Sequence, residues 1–124
     1  MTKKAARSML WREFSFEAAH SLPDDRLGSP NARIHGHSYK ARVTITGTPD
    51  PETKMIVHQD EMERACDAVR FRLDHMNLND VLSHTRPTME AIAEFIAASF
   101  HVGDVVRVEV WRPTCSDGAI WERQ

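Results

Sequence analysis

Two histidines stand two residues apart in the segment His35-Gly36-His37. On a β-strand, residues i and i+2 point to the same face, with Cα atoms about 6.5–7 Å apart. Two imidazoles at this spacing can bind one metal ion, and Gly36 leaves room for another segment to approach. The pair has the same parity as Tyr39 and the apolar residues after it. It therefore faces the side predicted to be buried, where an unpaired imidazole is costly.

A third ligand is available at His20, which ends the segment that begins at Phe14. Pairing of the two strands would place His20 beside His35 and His37. Three neutral imidazoles with one open coordination position are the pattern of a catalytic zinc site. However, the chain has seven histidines, and a His-x-His pair also arises by chance. From spacing alone, a zinc site and unrelated histidines remain alternatives.

Alternating residues predict the strands that position these histidines. In the first strand, Leu10, Phe14 and Phe16 share one face. The predicted strands are 9–16, 34–46, 54–57 and 105–111, with a short one through Ile120. Proline, aspartate, glycine and serine in 21–33 predict a loop, 47–53 a hairpin turn, and Asp117-Gly118 a turn near the C-terminus.

Apolar residues at three- and four-residue steps predict a helix at about 60–73 and a second one that begins near Thr88. The Thr88 hydroxyl is suited to cap this second helix, and 74–87 is predicted to be a loop. Antiparallel strands with helices grouped on one face make an α+β fold. We expect one domain at 9–124 after a flexible tail at 1–8.

The composition excludes several classes of function. The chain has 124 residues, a net charge of −2 and a sequence pI near 6.4, which argues against a nucleic-acid partner. No apolar run reaches the ~18 residues of a membrane helix, and no signal core follows the basic N-terminus. Two cysteines are too few for a disulfide scaffold, so a reducing cytoplasmic setting is expected. Cys66 fits the apolar stripe of the first helix, and a structural role is expected for Cys115.

Four segments occur in an order and at distances that are typical of one known family. They are Phe16-Glu17-Ala18-Ala19-His20, His35-Gly36-His37-Ser38-Tyr39, Leu73-Asp74-His75 and Pro87-Thr88-Met89-Glu90. From Phe14 to Trp121, the chain resembles the 6-pyruvoyl-tetrahydropterin synthase and 6-carboxy-tetrahydropterin synthase (QueD-type) family. The resemblance supports a zinc ion, Zn²⁺, at His20, His35 and His37.

The resemblance implies a tunnelling fold (T-fold), a four-stranded antiparallel sheet with two helices on one face. Such subunits form trimers whose sheets join into a barrel, and two trimers stack into a hexamer with active sites between subunits. This assembly would cover open sheet edges.

The implied substrate is a small molecule, 7,8-dihydroneopterin triphosphate. Zinc eases proton removal as a Lewis acid, and a general base moves the proton. One branch of the family eliminates triphosphate, and the QueD-type branch also cleaves the side chain.

Asp74 and His75 match the family's proton-moving couple, although a loop ion pair is the alternative reading. The family's basic cysteine, four residues before His35, is replaced by Asn31, whose amide cannot take a proton at neutral pH. The glutamate that holds the pterin's amino-pyrimidine edge is replaced by Arg112 or Pro113, depending on a one-residue shift. Neither accepts N–H donors, whereas an arginine suits a carboxylate or phosphate.

Thr88 and Glu90 match family positions that line the pterin pocket. A helix cap and a first-turn acid favoured by the helix dipole are the alternative readings. Three functions therefore remain open. They are a zinc-dependent lyase of the pterin type, the same zinc scaffold with a different and more acidic substrate, and a non-catalytic zinc-holding protein.

Overall fold

A computed structural model describes residues 7–124 of the chain. Five strands, three helices and a 3-10 turn follow one another in these residues. In order, they are β1 (Ser8–His20), the 3-10 turn (Pro30–Ala32), β2 (His35–Gly47), α1 (Gln59–Leu73), β3 (Met76–Asn77), α2 (Leu78–Val81), α3 (Met89–Ser99), β4 (Asp104–Arg112) and β5 (Asp117–Glu122). The predicted tail at 1–8 lies largely outside the described residues, and β1 begins at Ser8.

One sheet contains all five strands in the order β3-β1-β2-β4-β5. The pairs β1–β2, β2–β4 and β4–β5 are antiparallel, while the two-residue β3 runs parallel to β1. The predicted α+β class is confirmed, but the sheet has five strands rather than four. The strand that was not predicted is β3, which has two residues and lies at one edge of the sheet.

The core lies between the sheet and the two long helices. Alternate residues of β1 and β2 point into the core, so one face of each strand is buried. The helices contribute stripes of buried apolar residues spaced three or four positions apart. The α1 stripe is Met62, Cys66, Val69 and Leu73, and the α3 stripe includes Ile92, Ala93 and Ile96. Both stripes belong to the same buried cluster as Phe16 and Tyr39. The histidines stand at the open end of this core face.

Caps define the starts of both long helices. The His58 ring accepts a hydrogen bond from the backbone N–H of Asp60, and the Thr88 hydroxyl accepts one from Ala91. The predicted helix starts near 60 and 88 are thereby confirmed.

None of the helices within residues 7–124 is both long and apolar enough to cross a lipid bilayer.

The predicted return strand at 54–57 is wrong. Both edges of β2 are already paired, one with β1 and the other with β4, so no edge remains for a hairpin partner. The segment after β2 instead closes on itself, because the Asp50 carboxylate accepts hydrogen bonds from the backbone N–H groups of Glu52 and Thr53. Ile56 and Val57 are partly buried against the core without forming a strand.

Two other boundaries differ from the prediction. The loop predicted at 74–87 contains β3 and the short helix α2, which is capped by the Asn77 side chain. The turn predicted at Asp117-Gly118 lies earlier, at 113–116, and Asp117 already pairs with Arg112 in the ladder. A Cβ at Gly118 would lie 2.8 Å from the Cβ of Trp111, so glycine allows β5 to approach β4 here.

Candidate metal centre

The register of β1 and β2 brings the three predicted histidines together. His20 lies directly opposite His35, and His37 lies opposite Ala18, one step along the same face. The three ring centroids are 4.6 Å (His20–His35), 5.2 Å (His20–His37) and 4.8 Å (His35–His37) apart. One nitrogen from each ring lies within 4.8 Å of the other two. The side chains therefore converge on one point.

Backbone carbonyls fix the tautomers of two of these rings. The Nδ1 atom of His20 is 2.8 Å from the carbonyl oxygen of Pro87, and that of His35 is 2.7 Å from the carbonyl oxygen of Arg33. A carbonyl only accepts, so each Nδ1 carries the proton and each Nε2 keeps its lone pair. This arrangement is the one that metal-binding histidines use to orient the ring.

The third ring reaches the same tautomer through side chains. Arg112 Nη1 lies 3.2 Å from His37 Nε2, and a guanidinium only donates, so this Nε2 also bears a lone pair. The Nδ1 atom of His37 faces the Cys115 sulfur at 4.0 Å. The Nε2 lone pairs of His20 and His35 are thus available for a common ligand, and that of His37 becomes available once the contact with Arg112 is displaced.

Burial favours the neutral form of His20 and His37. Desolvation lowers the pKa of His20, which is 5% exposed, and the bond to the Pro87 carbonyl only partly opposes this effect. Desolvation, followed by the charge of Arg112, lowers the pKa of His37 to about 4. A metal ion binds the neutral imidazole, so these rings are in the ligand form without loss of a proton.

The residues fit a zinc ion. Three neutral imidazoles suit Zn²⁺, although imidazole also binds copper, iron and nickel. The His20 Nε2 atom is buried, and no protein group within residues 7–124 hydrogen-bonds to it. A buried nitrogen without a partner is costly unless a ligand satisfies it. Its position at the meeting point of the three rings is where a metal would bind.

Arg112 is the residue at the end of β4 that faces this cluster, whereas Pro113 begins the turn. Its guanidinium pairs with Asp117, with Nε 2.9 Å from Oδ1 and a second contact between Nη2 and Oδ2. This pair raises the pKa of Arg112 and holds its third nitrogen against His37. Of the two residues, Arg112 contacts the cluster, and Pro113 lies in the turn.

Asp74 and His75 form the predicted couple beside Glu17, near the same end of β1 as His20. His75 Nδ1 lies 2.9 Å from Asp74 Oδ2, and Arg70 Nη2 lies 3.1 Å from the same oxygen. The Asp74 carboxylate also accepts the backbone N–H of Glu17 at 2.9 Å, which is the main cause of its lowered pKa. The His75 side chain is 77% exposed, and its backbone has a φ of 60°.

A groove of about 600 Å³ connects the two groups of histidines. Its lining includes His37 and Ser38 from β2, His75 next to β3, and Thr114 from the β4–β5 turn. The Ser38 hydroxyl donates to Glu17 Oε1 at 2.7 Å on the same wall. A small molecule in this groove would contact both His37 and His75.

The other predicted substrate-binding residues lie outside the histidine cluster. Asn31 is exposed in the 3-10 turn, where its carbonyl oxygen accepts the backbone N–H of Leu22 at 2.7 Å. Glu90 is exposed on the first turn of α3, and the Thr88 hydroxyl is engaged in the cap. Thr88 directly follows Pro87, whose carbonyl orients His20.

The two cysteines differ sharply. Cys66 is buried in the core as predicted, and burial raises the pKa of its thiol to about 11. Cys115, for which a structural role was expected, is exposed in the turn beside His37. The sequence reasoning also missed Asp117 and Tyr39. Tyr39 was detectable, since it shares the strand face of His35 and His37, whereas Asp117 depends on the turn length.

Comparison with known proteins agrees with this geometry. The 6-pyruvoyl tetrahydropterin synthase family matches residues 9–124. The 6-carboxy-5,6,7,8-tetrahydropterin synthase of Synechocystis is 38% identical over 119 residues, covering 90% of each chain. The human 6-pyruvoyl tetrahydrobiopterin synthase is 28% identical over 126 residues, covering 87% of each chain.

Solved structures establish the shared fold. The 6-pyruvoyl tetrahydropterin synthase of Caenorhabditis elegans superimposes with a TM-score of 0.82 at 20% identity, over 99% of this chain and 100% of that one. The Plasmodium falciparum protein of the same name gives a TM-score of 0.71 at 16% identity, over 96% and 99%. With the match of the family across nearly the whole chain, these findings show that the chain belongs to the 6-pyruvoyl tetrahydropterin synthase family.

Proposed function

We propose that this chain is a zinc-dependent lyase that acts on 7,8-dihydroneopterin triphosphate or a closely related pterin. One observation carries the proposal, namely the convergence of one ring nitrogen from each of three histidines in a chain of this family. When bound by His20, His35 and His37, zinc would supply Lewis-acid polarisation of substrate oxygens. The proposed activity is of the type named for its relatives, the 6-pyruvoyl and 6-carboxy-tetrahydropterin synthases.

Asp74 and His75 are the proposed proton-transfer couple. The Asp74 carboxylate accepts from His75 Nδ1, which leaves the exposed His75 Nε2 free to take a proton from a molecule in the groove. Arg70 and the Glu17 N–H keep Asp74 ionised, so it stabilises the imidazolium that forms. Asn31 cannot take this proton, so the couple would have to work without a thiol at that position.

We further propose that the protein is a homo-oligomer, a trimer or a hexamer. The sheet ends in two short strands, β3 and β5, which leave backbone groups at both edges. Ile120 on β5 and Met76 on β3 are large apolar residues exposed in the single chain. Sheet edges from neighbouring copies would cover both, and subunit contacts would then enclose the groove.

The test is direct turnover. Zinc-loaded protein is incubated with 7,8-dihydroneopterin triphosphate, and acetaldehyde, triphosphate and pterin products are followed by chromatography. Product formation that is lost in His20→Ala and retained in His101→Ala, an exposed histidine outside the cluster, supports the proposal. A zinc-loaded protein that releases none of these products contradicts it.

A specific observation favours a second candidate, in which the same centre accepts a more acidic substrate. Arg112 directs Nη1 into the cluster, where it would attract a carboxylate or phosphate beside the metal. Binding of 6-carboxypterin and 6-hydroxymethylpterin by the zinc-loaded protein separates the two candidates. Preference for the carboxylate that disappears in Arg112→Gln favours the acidic substrate. Saturable binding without turnover of any tested compound would favour a non-catalytic zinc protein.

A further inference from the structure

Two buried side-chain polar atoms stand without a hydrogen-bond partner within residues 7–124, and both lie at the histidine cluster. They are His20 Nε2 and the hydroxyl oxygen of Tyr39. A buried polar atom without a partner is rare in folded proteins, because its desolvation is not compensated. Two such atoms at one place indicate a common ligand.

Packing fixes the Tyr39 ring next to the histidines. Tyr39 is 1% exposed and stacks on Phe16, with ring centroids 5.0 Å apart and an interplanar angle of 11°. Its ring centroid lies 5.6 Å from that of His37 and 6.3 Å from that of His20. The stack leaves the ring little freedom, so the hydroxyl is held in one place.

The phenol lies near the charged pair at the start of the β4–β5 connection. Arg112 and Asp117 both act electrostatically on Tyr39, and Arg112 also contacts the neighbouring ring of His37. A phenol is protonated at neutral pH, so the Tyr39 hydroxyl can donate a hydrogen bond.

The phenol has a simple apolar alternative. Phenylalanine would fill the same space and stack on Phe16 equally well, without a hydroxyl that requires a partner. The packing of the core therefore does not explain the oxygen. A ligand that satisfies both unpartnered atoms does explain it, since His20 Nε2 would bind the metal and Tyr39 would bind an atom next to it.

We propose that the Tyr39 hydroxyl donates a hydrogen bond to an oxygen of a reactant that lies beside His20, His35 and His37, the residues that would hold the metal. The inference rests on the metal centre of the proposed function. A fixed donor at this point stabilises negative charge as it develops on that oxygen during proton removal. Tyr39 would thereby supply, together with the metal, the stabilisation of the oxyanion.

The experiment compares wild-type protein with Tyr39→Phe after loading with Co²⁺, whose visible d–d absorption reports on the ligands. Acetate serves as the oxygen-donor probe and is titrated at fixed pH. We expect equal Co²⁺ affinity in the two proteins and acetate binding that is about tenfold to a hundredfold weaker in Tyr39→Phe, since the lost bond is to a charged oxygen. Thr44→Val, which removes a hydroxyl from the opposite face of the same strand, should bind acetate like the wild type.

A second measurement follows thermal unfolding of the metal-free proteins. If the hydroxyl serves only the ligand, Tyr39→Phe unfolds at the same temperature as the wild type or higher. A lower unfolding temperature would mean that the hydroxyl has a partner in the fold, such as a buried water, and would overturn the inference. Equal acetate affinity in both proteins would also overturn it. Failure of the wild type to bind Co²⁺ or Zn²⁺ would instead refute the metal centre on which both proposals depend.

Discussion

Replacement of Arg112 by glutamine should strengthen metal binding. Arg112 Nη1 donates to His37 Nε2, which is the lone pair that a metal needs. A metal ion must therefore displace this hydrogen bond and then tolerate a guanidinium nearby. Glutamine removes the positive charge and keeps a side chain of moderate length, so the third imidazole becomes available without this competition.

The magnitude follows from the charges. A unit charge and a divalent ion about 5 Å apart repel by roughly 2 kcal/mol in water and about 7 kcal/mol at an effective dielectric constant near 20. Asp117 pairs with the same guanidinium through two contacts and cancels most of this repulsion. We expect a net gain of about 1–2 kcal/mol, which is a roughly 5- to 30-fold lower Kd for zinc.

Zinc affinity is measured by competition with a chromophoric chelator at neutral pH. Asp117→Asn is the matched control, because it removes the compensating charge and leaves Arg112 in place. Its zinc affinity should fall by a similar factor, so the two variants should move in opposite directions. Low salt should enlarge both effects, since the pair is half-buried.

Equal or weaker zinc binding by Arg112→Gln would refute this reasoning, provided that the variant unfolds at the wild-type temperature. That result would mean that the guanidinium helps to hold His37 in the ligand orientation more than it repels the metal. A parallel loss in Arg112→Gln and Asp117→Asn would point the same way, because both would then act through the position of the turn.

Four other outcomes are expected. In the metal-free protein, the lowered pKa of His37 means that the unfolded chain binds a proton below pH 6.5 while the folded one waits until about 4. As the pH is lowered from 6.5 to about 4, the free energy of unfolding measured in urea should therefore fall by on the order of 1–2 kcal/mol, after a discount for solvent screening. Below about pH 4 this contribution should level off. Asp74→Asn should lower turnover by about 10²–10⁴-fold with zinc content unchanged, and loss of zinc would contradict the proton-transfer role. Gly103→Ala should lower the unfolding free energy by about 1–3 kcal/mol, because Gly103 has a φ of 71° and an added Cβ would lie 2.6 Å from Ile45 Cδ1. Asn31→Cys alone should not reach the turnover of a 6-carboxytetrahydropterin synthase, because a carboxylate is also missing at the end of β4, and full activity in that variant would refute this.

The histidine cluster could be predicted because it depends on strand alternation and on the pairing of two successive strands. His35 and His37 share a face by the period of two, and His20 joins them through the antiparallel pairing of β1 with β2. The helices were predictable for the same reason, since Cys66 and Ile92 fall on stripes at helical spacing. Each periodicity is read within a few residues, and the β1–β2 pairing joins two strands that follow one another in the chain.

The wrong strand at 54–57 shows where local patterns stop being sufficient. Met55, Ile56 and Val57 form an apolar run that suits a strand as well as a core-packing loop. Whether it pairs depends on a free edge of β2, and β4 takes that edge from almost fifty residues further along the chain. The sequence close to Ile56 does not show that β4 pairs with β2.

The three imidazoles have two kinds of hydrogen-bond partner, backbone carbonyls and side chains, and the sequence does not show which ring has which kind. His20 and His35 are oriented by main-chain carbonyls, of Pro87 and Arg33, which are present whatever side chain stands there. His37 is contacted by two side chains, Arg112 at the end of β4 and Cys115 in the β4–β5 turn. Substitutions at these two positions can therefore alter the surroundings of His37 while the backbone carbonyls still orient His20 and His35. Because Arg112 is also held by Asp117 at the start of β5, changes at this end of the sheet would adjust the charge beside the candidate metal site while the pairing of β1 with β2 is kept.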